Sequence, residues 1–326
     1  MDALDKSVKI LMIGENTSGK TTYMASAYGL LKNGRCGFSV STSEYSEDAV
    51  LSKIFSRVCA GGYPSATEAR REYHFDFNYN GEKRLEFEWV DYYGGVIKES
   101  ESSQLMRDID NAEGIMVFVR AQDLLDFKHG NRQKIRNLQR VMRLISNKLV
   151  EADGDKFFSV LIVVTMWDKV DGVATREELC KPIEDLISMM KEKDYLHVRV
   201  VPVSCTGRGF MNVDLPLLDI LQSGAAFRFV VLAHIVKSMY EKAEECKRKS
   251  GVFNSIYSFF TDEASYAELS EAGYSLAKEG YDLLEVMQPS LQDLSNYINS
   301  YTDPTFIKIG SGGTQNKGRR SLYDSL

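Results

Sequence analysis

Gly14-Glu15-Asn16-Thr17-Ser18-Gly19-Lys20-Thr21 follows the apolar run Val8 to Ile13 and leads into a helix-like stretch, Lys20 to Lys32. The eight residues fit G-x-x-x-x-G-K-[ST], and a strand before and a helix after give that pattern its meaning. Glycines let successive backbone N–H groups turn toward one point, and the start of a helix adds partial positive charge there. Such a loop cradles a polyphosphate. Lys20 is placed to bridge the outer phosphates and the Thr21 hydroxyl to coordinate Mg²⁺. Gly14, Asn16, Thr17, Ser18, Gly19 and Thr22 complete the cradle.

Outward from this loop, strands and helices alternate. Glu72 to Tyr79 and Arg84 to Asp91 read as a hairpin around Asn80-Gly81. Gly114 to Val119, Val160 to Thr165 and Val198 to Val203 read as buried strands. Helices are expected at Glu47 to Cys59, Arg132 to Val150, Glu177 to Lys193 and Leu215 to Gln222, with residues 34 to 67 otherwise a long connection. This order predicts an α/β fold of the P-loop NTPase kind, a mostly parallel sheet flanked by helices. From Ala225 the pattern is helical only. Ser250-Gly251 is expected to break one helix, and Pro289 to kink or restart a second that covers Glu263 to Met287. The domains expected are 1–224 as the nucleotide-binding body, 225–300 as an α-helical extension and 301–326 as a flexible tail.

Three further segments carry chemistry. Trp89-Val90-Asp91-Tyr92-Tyr93-Gly94-Gly95 ends a strand. An acid there can serve the Mg²⁺ shell, and the Gly94 N–H can reach a γ-phosphate. Thr165-Met166-Trp167-Asp168 and Ser204-Cys205 each close a later strand. A carboxylate such as Asp168 can accept from guanine N1–H and the 2-amino group together, worth roughly 1.5–3 kcal/mol per charged hydrogen bond. Adenine lacks that donor pair. Arg120, at a strand end, is either a paired rim arginine or a ligand or interface group.

In this order, P-loop, D-x-x-G, T-x-x-D and the Ser204-Cys205 closure, the chain resembles the translation-factor and Ras-like class of P-loop GTPases over residues 8 to 222. The 89–95 stretch and Gly62-Tyr63-Pro64-Ser65-Ala66-Thr67 look like the bacterial double-GTPase group. The resemblance implies GTP and GDP as ligands, Mg²⁺ as cofactor, and hydrolysis of GTP to GDP and phosphate. It places Thr165 and Asp168 at the base, and Ser204 and Cys205 at the guanine O6 edge. It asks for a threonine between the first helix and the second strand. Thr67 is the first candidate for that catalytic and metal-facing role, with Ser65 and Thr42 as rivals. Catalysis would then rest on Lys20, Thr67 and Gly94, and the metal on Thr21, Thr67 and Asp91. The chain departs from the pattern at Met166, where the class has lysine, and at Gly95, where Ras-like enzymes place a water-orienting glutamine. Slow hydrolysis is the expectation, raised by a protein partner or a second protomer. An arginine supplied in trans is worth about 10³–10⁵ in rate. Two alternatives stand beside this reading: a nucleotide-binding interaction protein with little turnover, and an ATPase with a degenerate base motif.

Charge is unevenly spread. The 326 residues carry a net charge of −6, which argues against nucleic acid as a partner. Residues 262 to 293 hold eight acids against Lys278, whereas Arg132 to Lys148 holds six bases and no acid. The basic stretch is either a solvated helix face or a contact surface for an acidic partner, lipid head groups or nucleic acid. Five scattered cysteines form no metal-ligand spacing, and a reduced, cytoplasmic setting is expected. No apolar run approaches the roughly 20 residues of a membrane span, which leaves only peripheral membrane contact open.

Overall fold

A computed structural model describes residues 7–65, 69–97, 103–151, 158–188, 196–205, 209–260, 266–300 and 307–309. β1 (Val8–Gly14), β5 (Gly114–Arg120), β6 (Phe158–Thr165) and β7 (Leu196–Pro202) are parallel to one another and to β4 (Glu82–Asp91). The sheet continues antiparallel through β3 (Arg71–Tyr79) to β2 (Phe38–Thr42), and ends on the other side at β8 (Ile307–Ile309), antiparallel to β7. The order is β2-β3-β4-β1-β5-β6-β7-β8. The central strands are apolar throughout because both faces of the sheet are covered.

On one face, α1 (Lys20–Leu31) lies against an aromatic cluster. Phe75 stacks on Phe87 at 4.9 Å, Tyr28 tilts against Phe75 at 5.7 Å, and Tyr23 meets Trp89 edge-on at 6.0 Å. Alternation along β3 and β4 puts these rings on the same side, the period-2 pattern of a strand. α2 (Tyr45–Cys59) packs on α1. The other face is filled by Leu105 and Ile109 of α3 (Ser103–Asn111), Leu124 of α4 (Ala121–Lys128), Leu138 and Ile145 of α5 (Arg136–Glu151) and Ile183 of α6 (Arg176–Ser188).

Two compact units divide the chain. Ser7–Ser223 with β8 forms one, and Gly224–Ser300 the other. The latter comprises most of α7 (Leu215–Phe260) and all of α8 (Tyr266–Ser300). Within it, Val236 and Ala277 are buried together and Tyr240 meets Tyr274 at 5.5 Å.

Several expected boundaries change. α7 runs through Ser250-Gly251 and absorbs the short helix expected at Leu215 to Gln222. One glycine costs a helix interior about 1 kcal/mol, too little to end a helix of 46 residues. α8 likewise contains Pro289 without ending there. α5 begins at Arg136, because residues 132–135 form turns. β2 lies inside the stretch expected as a connection, and its signal was the alternation of buried Phe38 and Val40 with polar neighbours. β8 occupies part of the stretch expected as a flexible tail.

Candidate functional site

The loop after β1 turns through two left-handed residues, Thr17 (φ 62°) and Gly19 (φ 90°). Glycine adopts that conformation without cost, which suits Gly19 as the last residue before α1. Ser18 N–H donates to Glu15 O at 3.2 Å, and Tyr23 N–H to Gly19 O at 2.8 Å. Lys20, only 5% exposed, donates from Nζ to the Gly14 and Glu15 carbonyls at 3.0 and 3.1 Å. Burial holds its pKa below the usual lysine value, opposed by the charges of Asp91 and Glu15. The lysine therefore sits wrapped by the loop it serves.

Asp91 is fully buried at the end of β4, in register with Met12 of β1. Thr21 Oγ1 donates to Asp91 Oδ2 at 3.0 Å. These two side chains, 70 residues apart, place hard oxygen donors side by side, the donor type Mg²⁺ takes. The residues present thus fit that ion. Gly94 N–H donates to Asn16 Oδ1 at 2.9 Å, closing the D-x-x-G segment onto the P-loop. A Cβ on Gly94 would lie 1.9 Å from the Asn16 backbone nitrogen, so no other residue fits here without movement.

Beside the P-loop is a cavity of about 270 Å³. Asn16, Thr17, Gly19, Lys20, Thr21 and Thr22 form its floor. Tyr63, Pro64 and Ser65 line it from the segment after α2, and Met166 and Lys169 from the loop after β6. Ser65, one rival for the threonine position, is thus at the cavity. Thr42 is on β2 and donates to Glu44 O, and is not among the cavity residues. Thr67 lies outside the described residues.

The T-x-x-D segment divides its work. Buried Thr165 donates to Ser18 O at 2.7 Å and is 3.3 Å from Val119 O, so its hydroxyl ties the P-loop to the ends of β5 and β6. Met166 takes a left-handed conformation (φ 56°) and Trp167 N–H donates to Val203 O at 3.2 Å. Half-buried Asp168 accepts from Ser204 Oγ at 2.7 Å, which fixes one carboxylate oxygen. Ser204 itself pairs backbone to backbone with Met211. Cys205 follows, its thiol pushed up to about 12 by burial, with a smaller push from Asp168. The structure therefore brings the loops bearing Asp168, Ser204 and Cys205 together.

Arg120 grips Asp123 with two parallel bonds, Nε to Oδ2 at 2.6 Å and a terminal nitrogen to Oδ1 at 2.9 Å. That pairing is the rim role among the two expected. Three residues went unmarked in the sequence reading of this site. Lys169 and Tyr63 line the cavity, and Asn137 Nδ2 donates to Glu15 Oε1 at 2.6 Å. Tyr63 lies within the Gly62 to Thr67 stretch, and Lys169 directly follows Asp168. Nothing in the sequence near Asn137 points to Glu15, 122 residues away.

The Double-GTPase 1 family matches residues 11–154. Over that stretch the chain resembles the double-GTPase group of P-loop GTPases. A bacterial selenocysteine-specific elongation factor is similar at 18% identity and a TM-score of 0.31, over 61% of this chain and 26% of that one. This chain therefore spans about a quarter of that protein's length. The signal recognition particle receptor SRb-GTP/SRX complex from Chaetomium thermophilum is similar at 13% identity and a TM-score of 0.41, over 63% of this chain and 93% of the other. No curated protein matches in sequence.

Proposed function

We propose that the chain is a GTP-binding switch that hydrolyses GTP slowly with Mg²⁺ and is stimulated by a protein partner or a second copy. The observation that carries this reading is the contact of Thr21 with Asp91 and of Gly94 with Asn16. Two segments far apart in sequence converge at one place on the P-loop, where the outer phosphates of a nucleotide would lie. Bound Mg²⁺ would be held by Thr21 and Asp91 and would neutralise charge on the phosphates. Lys20 would move its Nζ from the loop carbonyls toward the outer phosphates. The Gly94 N–H would exchange Asn16 for a γ-phosphate oxygen, which gives the triphosphate state its own contact.

At the base end, Asp168 would accept from the guanine edge with the oxygen not committed to Ser204. Met166 and Lys169 would flank the nucleoside, and Cys205 would face O6 through its backbone. Ser65, or Thr67 beyond it, would close over the phosphates from the segment after α2. The 225–300 unit is the proposed reporter of the nucleotide state, and the cytoplasm the proposed setting. Among the described residues no helix is long and apolar enough to cross a membrane.

One observation favours a second reading, a nucleotide-binding interaction protein with little turnover. Gly95 follows Gly94, so the position after D-x-x-G offers no side chain to orient water. Phosphate release from GTP separates the two. Slow multiple turnover that rises with protein concentration, or with added partner, is the expected result. Bound GTP that remains uncleaved under both conditions supports the interaction protein.

A further inference from the structure

The Asp108 carboxylate of α3 is 3% exposed and is reached from three separate elements. Arg70, just before β3, donates from Nε to Oδ2 at 2.8 Å. The Tyr92 hydroxyl, one residue past Asp91, donates to the same oxygen at 2.5 Å. Lys9 Nζ of β1 is 3.7 Å from Oδ1. Burial alone would raise the Asp108 pKa, but the bonds from Tyr92 and Arg70 outweigh it and hold the value low. The guanidinium of Arg70 also sits over the Tyr92 ring, 5.8 Å from its centroid, and sends a second nitrogen to Glu72 Oε2 at 2.8 Å. Three roles from one side chain need a planar, forked cation, which lysine is not.

The placement of these groups is what gives them a consequence. Residue 70 is the last before β3 and lies five positions after Ser65. Tyr92 is 2% exposed and begins the segment that carries Gly94 to the P-loop. α3 is the first α-helix after Gly94. One carboxylate therefore anchors both segments that border the phosphate end of the site.

We propose that Arg70 is a positioning residue: through Asp108 and Tyr92 it fixes the Asp91–Gly94 segment in the place from which Gly94 meets a γ-phosphate. This rests on the reading of Gly94 as the γ-phosphate contact. A γ-phosphate at Gly94 depends on where Tyr92 is held, and Tyr92 shares its acceptor, Asp108 Oδ2, with Arg70. A triphosphate uses the Gly94 contact that Arg70 holds in place, whereas a diphosphate does not reach it.

The test is Arg70→Gln in the full chain. Asp108 keeps Tyr92 and Lys9 as partners, so the substitution leaves no isolated buried charge. Two readouts are taken: the ratio of GTPγS to GDP affinity with Mg²⁺, and amide hydrogen exchange. The expected result is a fall in the ratio of about tenfold with GDP affinity unchanged, the low end of a charged hydrogen bond's range. Exchange should quicken over residues 92–97 and 103–111 and stay at the wild-type rate in α1 and β5. An unchanged ratio overturns the proposal, even where local exchange quickens. So does exchange that quickens throughout the unit, which would mark Arg70 as a general stabiliser. Should the wild-type chain bind no guanine nucleotide, the reading of the site fails. The exchange pattern would still report whether Arg70 holds residues 92–97.

Discussion

The proposed phosphate end and the proposed base end of the candidate site are built differently. At the phosphate end, Gly14 to Thr21 is one continuous loop, and two hydrogen bonds bring in Asp91 and Gly94. At the base end, the side chains come from two loops, with Asp168 and Ser204 36 residues apart. Thr165 spends its hydroxyl on Ser18 O, while Asp168 is held by Ser204. The phosphate end is a single motif that recruits partners. The base end is an assembly whose parts also brace the P-loop. The difference teaches where this chain can depart from a pattern. At Met166, where the class it resembles has lysine, the loop is held by a backbone bond, Trp167 N–H to Val203 O, that does not use the side chain. No comparable freedom exists at Gly94, where a methyl group would meet Asn16 at 1.9 Å.

That contrast can be broken most sharply at Lys20. Lys20→Ala should weaken GTP and GDP alike by about 100-fold, toward the upper end of a charged hydrogen bond's worth. Calorimetric titration reads the affinity, and circular dichroism checks that the chain stays folded. A loss of tenfold or less would mean that the phosphate end does not depend on its lysine. The next effect in size is at Gly94. Gly94→Ala should leave GDP binding within about twofold and lower GTPγS binding by about tenfold, the worth of one hydrogen bond to a charged group. Equal loss for both nucleotides would assign Gly94 to the loop's shape rather than to the triphosphate.

The smallest effect sharpens the base end. With its pKa pushed up to about 12, the Cys205 thiol stays protonated below that value, and its thiolate fraction rises tenfold per pH unit. Alkylation at pH 8 should therefore be slow at Cys205 and fast at exposed Cys36 and Cys59, as mass mapping would show. Bound GDP should slow Cys205 further. Rapid modification of Cys205 would place it on the open surface, away from the base.

Most of the fold could be read from the sequence, for reasons that differ by region. Long apolar runs such as Val160 to Thr165 announce buried parallel strands. β2 escaped because five residues of alternation inside a long connection look like loop until β3 supplies the partner for Phe38 and Val40. The helix breaks expected at Gly251 and Pro289 are local penalties, and the continuous helices around them are cooperative. At the site, the P-loop, Asp91 and Gly94 were legible because their spacing is local or follows a strand end. Thr165 was marked for the base, but its bond to Ser18 O joins residues 147 apart and no spacing reports it. The Arg70, Tyr92 and Asp108 cluster was silent for the same reason.

The central claim is that this site holds a guanine nucleotide through Asp168. Competition against a fluorescent GDP analogue, on wild-type protein and on Asp168→Asn, tests it most directly. The account predicts that GTP and GDP displace the probe from wild type while ATP does not. It also predicts that Asp168→Asn loses GDP affinity by about 10- to 100-fold and gains xanthosine diphosphate. Displacement by ATP as effective as by GTP, with Asp168→Asn unchanged, would contradict it.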